Sequence, residues 1–120
     1  MFISPSLLDR VYVRGSLKNT ETGYEFKLKN NIDNGTLSGV KSLTVDGNSV
    51  PLSTVILQTS AGEKPAEEIT YRTPLPLYYN SEASVRIAGE PLLPGAHSLV
   101  LALAVYEAGS IQLKINDEIL

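Results

Sequence analysis

His97 is the only histidine in the 120 residues, and the chain contains neither cysteine nor tryptophan. That inventory limits the chemistry before any fold is considered. A histidine-rich metal centre is impossible, and a three-ligand site would need carboxylates from distant parts of the chain. A Ser-His-Asp arrangement has only His97 to use, and nothing beside it resembles a nucleophile elbow. His97 follows Pro94-Gly95, so a turn-capping or exposed histidine is the expectation. Paired carboxylates occur at Glu67-Glu68 and Asp117-Glu118. Neighbouring strand residues point to opposite faces, so neither pair is preset to share a proton across a glycosidic bond. Gly35 and Gly39 do not sit between a strand and a helix, where a phosphate loop belongs. Lys27 and Lys29 alternate with Tyr24, Phe26 and Leu28, which puts the cations and the aromatics on opposite faces. A nucleic-acid stacking platform needs them together. The expectation is therefore no catalytic, cofactor-binding or metal-ligating residue in this chain.

The elements that would position these residues are strands. Tyr24, Phe26 and Leu28 alternating with Glu25, Lys27 and Lys29 give one dry face and one charged face. Leu43 and Val45 run into Asp46-Gly47, after which Val50 and Leu52 resume. Asp-Gly between alternating runs signals a type I′ hairpin, which needs positive φ at both central residues. Residues 1–9, with Pro5, read as a loosely tied arm or an edge strand. Further strands are expected over Val11–Asn19, Thr54–Thr59, Glu67–Thr73, Glu82–Ala88, His97–Tyr106 and Ile111–Ile115. The last two form a hairpin around Ala108-Gly109. Residues 30–39 and 60–65 read as a polar loop and a turn, and Asn34-Gly35-Thr36 as a turn rather than a glycosylated sequon. Ala61–Ile69 has room for one helical turn and no more. About eight short strands with turn signals every eight to twelve residues predict an all-β fold, a two-sheet antiparallel β-sandwich forming a single domain over residues 1–120. Its strand order, jelly-roll-like or immunoglobulin-like, stays open.

Two places break the pattern. In the strand near the end, Leu99, Leu101, Leu103 and Val105 form one apolar face, while Val100, Ala102, Ala104 and Tyr106 form a second. An outward sheet face is normally polar, so the chain's own loops or another subunit should cover it. The other is Pro74-Leu75-Pro76-Leu77-Tyr78-Tyr79. Its two prolines exclude a central strand, and exposed contiguous apolar groups mark interaction surfaces. Leu75, Leu77, Tyr78, Tyr79 and Tyr106 are the candidate partner-interface residues; the alternative for the Pro74–Tyr79 segment is a loop folded back to plug one end of the sandwich.

Charge and length exclude several classes. The net charge is −3. Six basic residues before residue 42 face four acids, and four after it face nine, so there is no basic stripe for nucleic acid. No apolar run approaches the ~20 residues of a membrane span. The opening MFISPSLLDRVYVRG lacks the marks of a secretory leader, and the absence of cysteine gives no sign of an oxidising compartment. The expectation is a soluble, cytoplasmic protein that contacts neither membrane nor nucleic acid.

A resemblance adds to this reading. Gly23-Tyr24-Glu25-Phe26-Lys27-Leu28, Gly35-Thr36-Leu37-Ser38-Gly39, Val45-Asp46-Gly47 with Val50-Pro51, the Glu82-Ala83 strand and Leu93-Pro94-Gly95-Ala96-His97-Ser98-Leu99 follow one another. In that order they resemble the small β subunit of bacterial C-glycoside deglycosidases, over roughly residues 11 to 105. The resemblance implies a non-catalytic accessory subunit in a hetero-oligomer with a larger TIM-barrel α subunit. That partner would hold the divalent metal, manganese by expectation, and the acid/base groups. The complex, a carbon–carbon lyase of carbohydrate metabolism, would cleave the C–C bond of 3-oxo-C-glycosides. The alternative is a free-standing sandwich that binds a carbohydrate or a protein without an enzyme partner.

Overall fold

A computed structural model describes residues 3–120. Ten strands follow one another: β1 (Lys18–Asn19), β2 (Gly23–Lys29), β3 (Gly35–Val45), β4 (Asn48–Ser49), β5 (Val55–Thr59), β6 (Gly62–Pro65), β7 (Leu75–Leu77), β8 (Glu82–Ala88), β9 (Gly95–Val105) and β10 (Gly109–Ile119). One helical turn, α1 (Pro5–Leu8), precedes them. The strands form two antiparallel sheets, β1-β2-β8-β5-β6 and β10-β9-β3-β4, with β7 pairing on β3. The connections β2→β3 and β8→β9 both cross between sheets, and their strands pair as β2·β8 in one sheet and β3·β9 in the other. Taken in chain order, β1-β2-β8-β5 is the ABED sheet and β3-β9-β10 the CFG sheet of an immunoglobulin-type sandwich, with β4 in the C′ position. The strand order left open by the sequence is therefore immunoglobulin-like.

The alternating patterns bury the residues they single out. Tyr24, Phe26 and Leu28 of β2, Val55 and Leu57 of β5, Val85 and Ile87 of β8, and Leu99, Leu101 and Leu103 of β9 all face the core. Among the described residues no polar or charged side chain is buried, so the interior is held by apolar packing alone. The Asp46-Gly47 turn has φ of 51° and 84°, both positive as a type I′ turn requires. Gly23 is fixed by contact: a Cβ there would lie 1.9 Å from the Ile87 carbonyl oxygen.

Several expected boundaries are corrected. Residues 35–39 belong to β3, an eleven-residue strand, instead of a loop. Two register shifts, between Leu37 and Gly39 and between Val40 and Ser42, put Leu37, Val40, Leu43 and Val45 inside at spacings of three, three and two. Bulges of this kind erase the period-two signal. Residues 62–65 form β6, paired with β5, where a turn was expected. Glu67–Thr73 is no strand: Ala66–Glu68 is a 3-10 turn, and Thr70 and Thr73 close a further turn through mutual backbone bonds. Ile69 is buried as a result, while Tyr71 is 76% exposed. Only Lys18–Asn19 of the expected first strand joins a sheet in the regular way; Val11–Val13 lies along β2 through a single bridge, Tyr12 to Leu28. The lead-in holds α1, capped by the Ser4 hydroxyl, and its first two residues lie outside the described part. β10 runs four residues beyond the expected Ile115.

Candidate functional site

The chemistry-bearing residues gather at the two ends of the sandwich. At one end β3 finishes and β9 begins. Here the Asp46 carboxylate meets His97 Nδ1 at 2.6 Å and accepts the Ser98 N–H at 2.9 Å. His97 Nε2 lies 2.6 Å from the Leu93 carbonyl, which can only accept. Nε2 must therefore donate, and a carboxylate opposite Nδ1 favours a second ring proton. The Leu93 carbonyl and Asp46 accordingly raise the His97 pKa above its ordinary value. The Ser98 N–H and then His97 hold Asp46 below the usual carboxylate range. His97 thus caps the 93–95 turn and fastens it to the β3–β4 hairpin.

Asp117 stands opposite His97 in the β9–β10 register and does similar work for the N-terminal segment. Its Oδ2 accepts from the Tyr12 hydroxyl at 2.5 Å and from the Gly15 N–H at 2.7 Å, while Oδ1 accepts the Glu118 N–H at 2.8 Å. Burial alone would raise its pKa, but these donors and the charge of Arg14 outweigh that and lower it. Burial and the bond to Asp117 push the Tyr12 hydroxyl up to about 12. These contacts tie the Asp46 hairpin, the 93–95 turn and the N-terminal segment to one another and to β9 and β10. Among the described residues no group of three or more His, Asp or Glu side chains is placed to hold a metal ion.

The opposite end carries the expected interface residues. β7 is an edge strand, paired only with β3 through Leu37–Leu75, Thr36–Pro76 and Gly35–Leu77. The prolines thus keep it from the centre, as expected, without preventing a short regular strand. Leu75 is buried and belongs to the core; Leu77 is half-buried; Tyr78 and Tyr79 are exposed. Tyr106 is exposed too. Its N–H bonds to the Thr36 carbonyl, its ring packs on Tyr71 with centroids 4.9 Å apart, and its hydroxyl donates to the Tyr71 carbonyl. The Tyr79 N–H donates to Asn34 Oδ1. Tyr71, Tyr78, Tyr79 and Tyr106 therefore cluster around the first residues of β3. Tyr71 is the member missed in sequence, because a strand expected over Glu67–Thr73 would put it on the same face as Ile69, which is buried.

The second apolar face of β9 is covered in part by the chain's own 69–73 turn: Tyr71 packs on Tyr106, and the Ile69 carbonyl and the Ala104 methyl flank the same side of Gly39. Val100, Ala102 and Ala104 are half-buried between neighbours. Lys41 of β3 reaches across β9 near Ala102 and Ala104 to the Ser110 hydroxyl of β10. Small residues in the middle strand leave room for that crossing.

The sequence-family model described as hydroxymethylglutaryl-CoA reductase, N-terminal domain, matches residues 7–120. The chain belongs to this family. No curated protein matches it significantly. Membership of the reductase N-terminal-domain family overturns the resemblance to the β subunit of C-glycoside deglycosidases. It also overturns the lyase and deglycosidase assignments drawn from that resemblance. The reason lies in what those motifs encode. Asp46-Gly47 makes a type I′ turn, Gly95 adopts φ of 117°, and the Gly23–Leu28 run is an alternating strand. These are requirements of the sandwich, which unrelated families share. The expected barrel partner and its manganese rested on that resemblance and lose their support with it. Among the described residues no helix is long and apolar enough to cross a membrane.

Proposed function

We propose that this chain is a non-catalytic docking module that attaches to a larger catalytic partner through its tyrosine-bearing end. One observation carries the reading: of six tyrosines, the four that are exposed, Tyr71, Tyr78, Tyr79 and Tyr106, cluster beside β7 and the start of β3. Tyrosine is a favoured interface anchor because it combines large apolar area with a hydroxyl. His97, Asp46 and Asp117 are instead engaged in tying turns and strands together. The family description supports the reading, since it names an N-terminal domain of an enzyme. The cytoplasm is the compartment this reading assigns, in keeping with a chain that has no cysteine to oxidise.

The test is capture of the tagged chain from its own cells, beside a Tyr78→Ser/Tyr79→Ser variant. A catalytic polypeptide should accompany the wild type. The variant should keep its melting temperature and bind that polypeptide more weakly by about 2 kcal/mol or more, the hot-spot scale. A stable variant that retains full affinity would refute the docking surface. The second reading, a free-standing module taking a carbohydrate or protein on the same tyrosines, predicts loss of that ligand with no enzyme captured.

A further inference from the structure

A sheet meets water at its edges, where strand N–H and C=O groups lack partners, and folded chains keep such edges short or blunt them with proline. Most edges here obey that rule. β1, β4 and β7 have two, two and three residues, and β6 has four. β6 and β7 also carry Pro65 and Pro76. β10 is the exception. Its eleven residues pair with β9 on one side and, among the described residues, with no strand on the other.

The direction of its free backbone groups follows from one hydrogen bond. Glu118 turns its N–H away from β9, to Asp117 Oδ1 at 2.8 Å. Backbone groups alternate in direction along an antiparallel strand, so Ser110, Gln112, Lys114 and Asn116 aim theirs outward as well. The N-terminal segment flanks this edge without pairing to it. α1 stands across a groove from Ser110, Gln112 and Lys114, and Gly15 meets the Asp117 carboxylate instead of the backbone. The Val11 carbonyl and the Val13 N–H bond to Lys29 and Lys27 of β2.

Two charges decide which strand this edge accepts. Lys114 and Glu118 are exposed, four positions apart and on one face of β10. Among the described residues neither has an ion-pair partner. A lysine on a free edge ordinarily wards off other strands. Glu118 lifts that barrier for a strand of the same sequence. When two copies of β10 run antiparallel about a two-fold axis at Asn116, Lys114 of each faces Glu118 of the other. An axis at Lys114 would oppose the two ammonium groups, and axes at Gln112, Leu113 or Ile115 would leave both charges without an opposite.

We propose that this chain pairs with a second copy of itself through the β10 edges, antiparallel and in register about Asn116. The two sandwiches then share one continuous sheet, joined at a self-complementary seam. Asn116 exchanges both backbone bonds with Asn116 of the partner subunit, and the Lys114 N–H donates to the carbonyl of the partner's Glu118. The seam lies apart from the tyrosine cluster and does not rest on the docking reading.

Sedimentation equilibrium of the full chain, from roughly micromolar to roughly millimolar concentration, tests the pairing across the range of weak specific association. The wild type should dimerise reversibly. Lys114→Glu and Glu118→Lys each turn two attractive cross-strand pairs into repulsive ones, and each should weaken the dimer about tenfold or more. The combined Lys114→Glu/Glu118→Lys chain restores opposite charges and should recover wild-type association. High salt should weaken the wild type and relieve both single variants. Asn116→Pro removes the central donor and should give a monomer; if it does not fold, the charge exchange decides alone. A wild type that stays monomeric at the top of that range would overturn the proposal. So would single reversals that leave the dimer intact, or an exchanged chain that associates no better than the single variants.

Discussion

Where β3 ends and β9 begins, Asp46, His97, Asp117 and Tyr12 link the β3–β4 hairpin, the 93–95 turn, the Gly15 segment and β10 through short hydrogen bonds. Where β3 begins and β9 ends, the sheets diverge around an apolar cavity, and four tyrosines lie outside it. The same two sheets supply both ends. The difference lies in what closes the gap: charged side chains with two or three partners each at one end, a short helical turn and an Asn-rich loop at the other. Polar closure is directional and fixes one geometry, whereas apolar closure tolerates space. The apolar part of that second closure, Leu8 and Val11, can give up area without breaking the hydrogen bonds by which Asn30, Asn31 and Asn34 hold the loop.

The largest expected effect sets the two ends apart by packing. Leu99, beside the clasp, is fully buried. Leu99→Ala should cost about 3 kcal/mol or more, because transfer free energy is lost and a cavity opens in a site that cannot collapse. Ile111 lines the existing cavity and is partly exposed. Ile111→Ala should cost roughly 1 kcal/mol, since it enlarges a space already there. Urea unfolding of both variants measures the contrast. Equal losses would mean that the cavity end is as tightly packed as the clasp.

The apolar half of this contrast was readable in sequence and the polar half was not. Leu99, Leu101 and Leu103 alternate with smaller or polar residues, and that period places them in the core whatever the partner strand. Asp46 and Gly47 name their turn because few residues tolerate positive φ. The pairing of His97 with Asp46, 51 positions apart, depends on which strands are neighbours, and local pattern carries nothing about that. The start of β3 was lost to its two bulges; the one helical turn for which Ala61–Ile69 has room is present at Ala66–Glu68, and Tyr71 was lost to the Thr70–Thr73 turn that follows it. The cavity is a volume left over between side chains, so no single residue reports it.

The next effect concerns the clasp alone. Asp117→Ala removes the acceptor for the Tyr12 hydroxyl and the Gly15 and Glu118 amides. It should cost about 2 kcal/mol, the scale of leaving partly buried donors unsatisfied. The Tyr12 pKa, now about 12, should fall toward 10 yet stay above it, because burial is its largest cause. Ultraviolet titration of tyrosinate formation reads this directly. A raised folded pKa means that Tyr12 adds stability below pH 10, lost as the pH climbs towards 12. Alkaline unfolding of the wild type should therefore steepen in that window, and the variant should show less of it. An unchanged Tyr12 titration would show that Asp117 does not hold the hydroxyl.

The smallest effect is the most diagnostic of polar closure, since it should depend on pH in one direction. His97 has a raised pKa from the Leu93 carbonyl first and Asp46 second. A group raised on folding contributes stability that is complete below its unfolded pKa of about 6.5 and disappears as the pH rises through the folded value. Asp46 is lowered, so its share is present above the ordinary carboxylate value and is lost only in acid. Between those limits both partners are charged and the clasp is at full strength. His97→Ala should thus lower stability by about 1 kcal/mol or less near pH 6, the scale of a partly exposed ion pair, and by less at pH 9, on the side towards which the wild-type ring gives up its charge. Asp46→Asn should give the same pH trend, because it removes the negative charge that favours the imidazolium. Melting curves of the three proteins at both pH values decide it. A His97→Ala loss that is equal at pH 6 and pH 9 would mean that the imidazole holds the two turns together by shape and neutral hydrogen bonding, with no part played by its charge.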